Sequence, residues 1–306
     1  MINKNYSENC RICDSNLTAC ILSDLKTKLG EVYCLTQCQI CSFVSTTPAP
    51  SADRLAQYYD QDYWQRDNSK TAKLLNLFYL LRMSGIILNL KKLVPSKARI
   101  LDWGAGDGAF QRLLERKGFD SYGIDSYSSG SDNKKIIRAS IEEASFPEGF
   151  FDAITCFHVL EHIHQPVASV EKALHLLKPG GIFIVEVPNI ASLGFKIFKK
   201  RWYPLDIPVH LNHFNPAVMQ KLFEKVGNLN IIKTAHFSNR HSPSSLLLSL
   251  IPSFSPPRLR NRFSGRFPFL LMILYLFLQI ISTPFSILGA MFRRGEIVRM
   301  YVRKSA

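Results

Sequence analysis

The chain has 306 residues, 46% of them apolar, which suffices for one large domain or a medium domain with appendages. Its net charge of +14 is unevenly spread: residues 1–238 carry 28 Lys/Arg against 23 Asp/Glu, while the last 68 carry ten basic groups, nine of them Arg, against the single acid Glu296. A basic tail this rich in Leu, Phe and Ile points to an anionic membrane surface ahead of nucleic acid, and the polar start 1–9 argues against a signal peptide.

Six of the seven cysteines fall within the first 41 residues. Four form two Cys-x-x-Cys pairs, Cys10/Cys13 and Cys38/Cys41, separated by 24 residues. Each pair can grip one side of a tetrahedral Zn²⁺, and four thiolates close the shell, so the expected role is structural. Clustering of this kind suits metal in a reducing cytoplasm better than an oxidised scaffold. Cys20 and Cys34 read as buried or spare. Residues 1–50 are thus expected to form a zinc ribbon, ending in the loop 46–50.

Residues 51–97 read as a helical lid or linker, with the aromatic cluster Tyr58, Tyr59, Tyr63, Trp64 and an apolar run 74–93 closed by Pro95. From Ala98 onward short β-like runs alternate with helical patterns, the mark of an α/β fold with a largely parallel sheet. Seven strands are expected, at 98–103, 120–125, 135–139, 150–157, 181–187, 229–237 and 296–303. Helices are expected near 108–118, 166–177 and 215–227. Residues 239–294 form a hydrophobic insert before the last strand, so the core domain reads as 98–238 completed by 295–306.

The first of these strands ends at Asp102 and runs into Trp103-Gly104-Ala105-Gly106-Asp107-Gly108 and a helix. Glycines let the backbone pass close to a ligand, and the helix start offers free N–H groups. The third glycine of the dinucleotide fingerprint is missing, which weakens a nicotinamide reading. Asp125 ends the next strand, 19 residues beyond Gly106, where a carboxylate can accept ribose hydroxyls.

With ILDWGAGDGAF (100–110), YGID (122–125), FDAITCFHVLEHI (151–163), LKPGG (177–181), VEVPN (185–189) and HLNHF (210–214), residues 98–237 resemble a class I S-adenosylmethionine (SAM)-dependent methyltransferase. The likeness is to the broad group that includes ubiquinone-biosynthesis and sugar methyltransferases, with a seven-stranded Rossmann-like sheet. It implies that Asp102, Gly104, Ala105, Gly106, Asp107 and Gly108 cradle the methionine part of SAM and that Asp125 holds the ribose. Ser140 and Ile141 would flank the adenine, with Phe157 also at the cofactor. Ser140 stands where the family often has an acid, and 126–133 is short for a full helix. A ribbon and Tyr-rich helix before such a domain resemble zinc-ribbon-bearing methyltransferases of sugar and exopolysaccharide pathways. There the aromatic segment, here 58–64, covers the SAM site; core packing between ribbon and catalytic domain is the other reading.

Methyl transfer from a sulfonium needs a base only when the acceptor is a hydroxyl or carbon acid. His158, Glu161, His162 and His164 follow the fourth strand, where α/β ligands bind. His162 reads as the base with Glu161 as its partner, and equally as a structural support of the SAM loop. His210 and His213 read as rim candidates or structural histidines. The Asn/Asp-Pro-Pro-aromatic signature of base-amine methylation is missing, which counts against a nucleic-acid amino-methyltransferase.

Residues 267–292 run without a charge, bracketed by Arg258, Arg260, Arg262 and Arg266 before and Arg293, Arg294 after. The length meets the criterion for a membrane span. A strand at 296–303 must return to the sheet, however, so both ends share one side. The expected form is a re-entrant or interface-lying hairpin over 245–292, broken near Ser282/Thr283 and Pro284, with 246–251 a shorter membrane-contacting element. A helix buried on the catalytic domain or a partner is the alternative. The favoured function is a SAM methyltransferase at the inner membrane face, acting on a lipid-carried saccharide or polyprenyl-type acceptor. Rivals are a soluble-sugar C- or O-methyltransferase with an oligomerising insert, a non-catalytic scaffold, and a nucleic-acid-binding ribbon protein. The charge map disfavours the last.

Overall fold

The computed structural model describes residues 9–16, 18–58, 81–127, 135–255 and 268–306. They divide into two compact units. The first draws on Met1–Phe78, Pro188–Val218 and His236–Ile297, the second on Tyr79–Val187, Met219–Ala235 and Val298–Ala306.

The second unit is built on strands β4 (Arg99–Trp103), β5 (Asp120–Ile124), β6 (Ile136–Ile137), β7 (Phe151–Phe157), β8 (Leu177–Pro188), β10 (Leu229–Ala235) and β11 (Ile297–Lys304). They form a seven-stranded sheet in the order β10-β11-β8-β7-β4-β5-β6. Pairings β4·β5, β4·β7, β5·β6 and β7·β8 are parallel, and β10·β11 is antiparallel. Each expected strand is present, with β8 beginning four residues earlier than its apolar run. The central strands are buried on both faces, which explains their unbroken apolar runs.

Helices Ala109–Arg116, Pro166–Leu176 and Pro216–Val226 fall where the periodicity puts them. Pro166 opens one helix at its first position, where its missing N–H costs nothing. A core of Leu90, Ile100, Leu114, Ala153, Ile182 and Tyr301 ties helix Ser84–Leu93 to the sheet. Of the aromatic cluster only Tyr58 is among the described residues; Tyr59, Tyr63 and Trp64 lie outside them, as does 128–133.

The first unit holds a four-stranded sheet ordered β1-β2-β3-β9, from β1 (Thr18–Lys26), β2 (Val32–Cys38), β3 (Val44–Thr47) and β9 (Asn212–His213). The cysteine-bearing segment is therefore not self-contained: its third strand pairs antiparallel with residues 212–213. Leu25, Tyr33, Leu35, Val44, Ile190, Trp202 and Leu205 form the core beneath it.

The insert is two helices, Ser242–Leu250 and Phe269–Met291, packed together through Leu247, Leu248, Met272 and Tyr275. Pro284 does not break the long helix, contrary to the sequence expectation. Nearby hydroxyls occupy the backbone around it: Ser282 Oγ and Thr283 Oγ1 donate to the Gln279 carbonyl at 3.0 and 2.7 Å, and Ser286 Oγ donates to that of Ser282 at 3.1 Å. In the shorter element Leu247 and Leu248 face the long helix, leaving Leu250 and Ile251 exposed. Buried Glu296 fastens the insert's two ends. Its carboxylate accepts from Gly194 N–H (3.0 Å), Trp202 Nε1–H (2.6 Å) and Ser245 Oγ–H (2.9 Å). A Cβ added at Gly194 would sit 2.3 Å from Glu296 Oε1, so a larger residue there would displace the carboxylate.

Candidate active site

The glycine-rich turn after β4 lies wholly within the second unit. Gly104, Gly106 and Gly108 adopt φ of 85°, 54° and 75°, a left-handed backbone that side chains disfavour. Gly104 and Ala105 both donate N–H to the Ile124 carbonyl, at 2.8 and 3.0 Å, pinning the turn to the end of β5. That approach depends on Gly123, where a Cβ would meet the Ala105 methyl at 2.7 Å. Asp107 Oδ1 accepts the Ala109 N–H at 3.0 Å, at the first residue of the helix Ala109–Arg116.

Two acids anchor the turn. Asp102 is buried, and Thr155 Oγ1 donates to its Oδ1 at 2.9 Å from the neighbouring strand. Asp125 accepts Gly106 N–H on Oδ2 and Tyr127 N–H on Oδ1, both at 2.9 Å. These bonds fix the carboxylate in orientation and use about half of its four or so acceptor positions. Two remain for a pair of vicinal hydroxyls, so the donor set fits the ribose of a nucleoside cofactor. Ser140 and Glu143 bond reciprocally, Ser140 N–H to Glu143 Oε2 at 2.9 Å and Glu143 N–H to Ser140 Oγ at 3.3 Å. Ile141, buried, is the apolar surface beside them, and Phe157 packs edge-on against Phe110 at 5.5 Å.

Beyond β7 the chain turns through His158, whose φ of 56° is also left-handed, into a 3₁₀ turn over Leu160–His162. His158 Nε2 lies 3.0 Å from Glu186 Oε1 and Nδ1 lies 3.2 Å from Glu161 Oε1. Both carboxylates are buried, and Arg299 on β11 donates to the far oxygen of Glu186. The result is a chain of alternating charge, Glu161–His158–Glu186–Arg299. Burial alone would lower the His158 pKa; hydrogen bonds and charge from Glu161 and Glu186 overcome it and push the imidazole up to about 9. His158 is therefore a cation at neutral pH and cannot accept a proton there. His162, half-buried, has a ring nitrogen within 4.8 Å of a Glu161 carboxylate oxygen, and His164 is exposed. Glu186 lies within the VEVPN stretch, which gave it no role, and Arg299 lies in no motif; the only further signal was a charged residue within an apolar strand run.

In the first unit, the four expected zinc ligands converge. Cys10 Sγ is 3.3 Å from Cys41 Sγ and Cys13 Sγ is 3.6 Å from Cys38 Sγ, with all four sulfurs within 4.8 Å of one another. Tetrahedral Zn–S bonds of about 2.3 Å place sulfurs just under 4 Å apart, so the set fits Zn²⁺. The Cys41 N–H points at Cys38 Sγ at 3.5 Å, a contact that favours a thiolate. Cys20 is exposed, Cys34 and Cys156 are buried, and none joins the cluster. Arg11, between the first two ligands, donates to Asn212 Oδ1 (2.9 Å) and the Leu211 carbonyl (3.2 Å). His213 Nε2 meets Thr46 Oγ1 at 3.0 Å, and His210 Nδ1 meets the Pro204 carbonyl at 2.8 Å. These contacts give both rings a structural place in this unit. Tyr58 Oη, 2.5 Å from Glu31 Oε2 and 2.7 Å from Thr27 Oγ1, packs on the β1–β2 hairpin.

Comparison with known proteins agrees with this geometry. The family model of the methyltransferase domain matches residues 75–233. A ubiquinone biosynthesis O-methyltransferase of Xanthomonas axonopodis pv. citri (strain 306) is 30% identical over 118 residues, 35% of this chain and 49% of that protein. Another, of Xylella fastidiosa (strain 9a5c), is 34% identical over 121 residues, again 35% and 49%. The chain thus spans about half the length of the curated relatives it matches. Among solved structures, a SAM dependent methyltransferase from Archaeoglobus fulgidus shares the fold, with a TM-score of 0.51 and 17% identity over 81% of this chain and 99% of that one. Because the family match extends over more than half of its residues, this chain belongs to the methyltransferase-domain family, and it has the fold of class I SAM-dependent methyltransferases.

Proposed function

We propose that the protein transfers a methyl group from SAM to a hydroxyl of a small or lipid-linked acceptor, a saccharide or polyprenyl-type molecule, at the inner face of the membrane. The observation that carries the SAM part is Asp125, held by two backbone N–H groups, one of them from Gly106 of a turn whose three glycines adopt left-handed φ. The O-methyl assignment draws on the relatives' description as ubiquinone biosynthesis O-methyltransferases. The membrane-linked acceptor draws on the apolar insert.

SAM, when bound, supplies a methyl already activated on a sulfonium, so positioning does most of the remaining work, about 7–11 kcal/mol in well-oriented cases. The turn 102–108 and Asp125 hold the donor, and Ile141 gives the adenine an apolar wall. His162 takes the acceptor hydroxyl's proton, with Glu161 beside it to stabilise the imidazolium that forms. His158, already protonated, neutralises the buried Glu161 and Glu186 and holds the strand ends. In the first unit, Cys10, Cys13, Cys38 and Cys41 hold one structural Zn²⁺.

His162→Ala tests the assignment of the base. It is expected to lower kcat by about 10²–10⁴-fold while SAM affinity is unchanged. Unchanged kcat, or lost SAM binding instead, removes His162 from that role.

A further inference from the structure

The long helix of the insert is inside out. Beyond Met272 and Tyr275, its buried positions, Gln279, Ser282, Ser286 and Gly289, are polar or small; its exposed positions, among them Leu270, Phe277, Ile280, Phe285, Leu288 and Met291, are large and apolar. In a helix on a water-soluble surface the pattern runs the other way. Nor is it a core helix, since only 28% of its most apolar window is buried.

The inner face is held by protein over most of its length. Met272 and Tyr275 pack on Leu247 and Leu248, Ser282 Oγ donates to the Pro243 carbonyl at 2.9 Å, and a Cβ added at Gly289 would lie 3.3 Å from the Arg294 carbonyl oxygen. Just beyond the C-terminus, the Arg294 carbonyl accepts Leu193 N–H at 3.0 Å and Glu296 is already buried. At 1.5 Å per residue the helix is about 34 Å long, long enough to span a bilayer, yet it is attached sideways along the unit, with one face outward.

The sequence around this helix is basic. Residues 239–294 contain seven Arg and no Asp, Glu or Lys. Arg293 and Arg294 are exposed at the helix end. Lys196, Lys199, Lys200 and Arg201 form a second exposed basic run, joined to the shorter insert helix by Arg201 Nη2 donating to the Leu250 carbonyl at 3.3 Å. A second copy of the chain seated on this face would bring like charges together, whereas anionic phospholipid answers both the apolar face and the cationic edges.

We propose that Phe269–Met291 lies in the plane of one leaflet of an anionic bilayer, its outer face in the acyl layer and the flanking arginines and lysines on lipid phosphates. This rests on the membrane-face reading and adds to it the orientation and the lipid class.

The test uses the full chain, presented in mild detergent to vesicles of phosphatidylcholine alone or mixed with phosphatidylglycerol. Binding to the mixed vesicles is expected to be at least about tenfold tighter and to weaken with added salt. Depth is read with Leu270→Trp, Phe277→Trp and Leu288→Trp, three exposed positions, against the unsubstituted chain and with circular dichroism to confirm the fold. Phosphatidylcholine brominated near the headgroup is expected to quench all three alike, more than lipid brominated deep in the chain. Deep quenching at 277 with shallow quenching at 270 and 288 means a span and overturns the proposal. Equal binding to both vesicle types overturns it too, while leaving the membrane-face reading intact. Binding to neither, with self-association through this face, sinks both.

Discussion

His158 carries the clearest consequence at the scale of single residues. Its pKa of about 9 lies above the ordinary 6.5, so the folded state binds the proton more tightly than the unfolded chain does. The stability this provides is fully present below about pH 6.5 and is lost as pH rises through about 9. Melting temperature measured across that window is expected to fall, and His158→Ala to flatten the fall. That substitution also leaves Glu161 and Glu186 without the imidazolium between them, costing about 3 kcal/mol. A melting temperature that stays level through pH 9 contradicts the charge chain. Asp125 was legible from spacing alone, because strand-turn-helix connections fix where the next strand must end. The pairing of Glu186 with Arg299 was not, because it joins residues 113 positions apart and the VEVPN stretch says nothing of the partner.

Among the elements, the central strands of the sheet followed their apolar runs closely, since strands buried on both faces leave an unbroken hydrophobic signature. Two features escaped that logic. The helix Phe269–Met291 continues through Pro284, because apolar packing and hydroxyl-to-carbonyl bonds outweigh one lost amide. And β9 joins the cysteine sheet from more than 160 residues away, a pairing two residues long with no pattern of its own. The ribbon's stability should depend on metal, since a segment this short buries little apolar surface alone. Purified chain is expected to carry one zinc, lost with Cys38→Ser or a strong chelator. Its loss should open β1–β3 to protease and release the Thr46–His213 contact. A chain free of zinc with unchanged protease resistance contradicts the structural metal.

For the whole molecule, the charge asymmetry visible in the sequence acquires a location. The acid-free stretch 239–294 and the basic run 196–201 fall in the same compact unit as the cysteine cluster, while the glycine turn, Asp125 and the histidine chain fall in the other. Composition alone showed a basic, apolar tail. It could not show that the long helix hides its polar side and displays its apolar one, because that depends on which face Ser242–Leu250 covers. The division also separates two expected kinds of dependence: metal removal is expected to act on the first unit, and changes at Asp125 on the second.

The central claim is that the turn 102–108 and Asp125 bind SAM, and calorimetric titration of the zinc-loaded protein tests it most directly. The expected result is saturable one-site binding in the micromolar range, weakened about 10–100-fold by Asp125→Asn, whose amide nitrogen cannot accept the hydroxyl or backbone N–H bonds the carboxylate does. No heat of binding for the folded wild-type chain at high micromolar SAM, or equal affinity for Asp125→Asn, would contradict it.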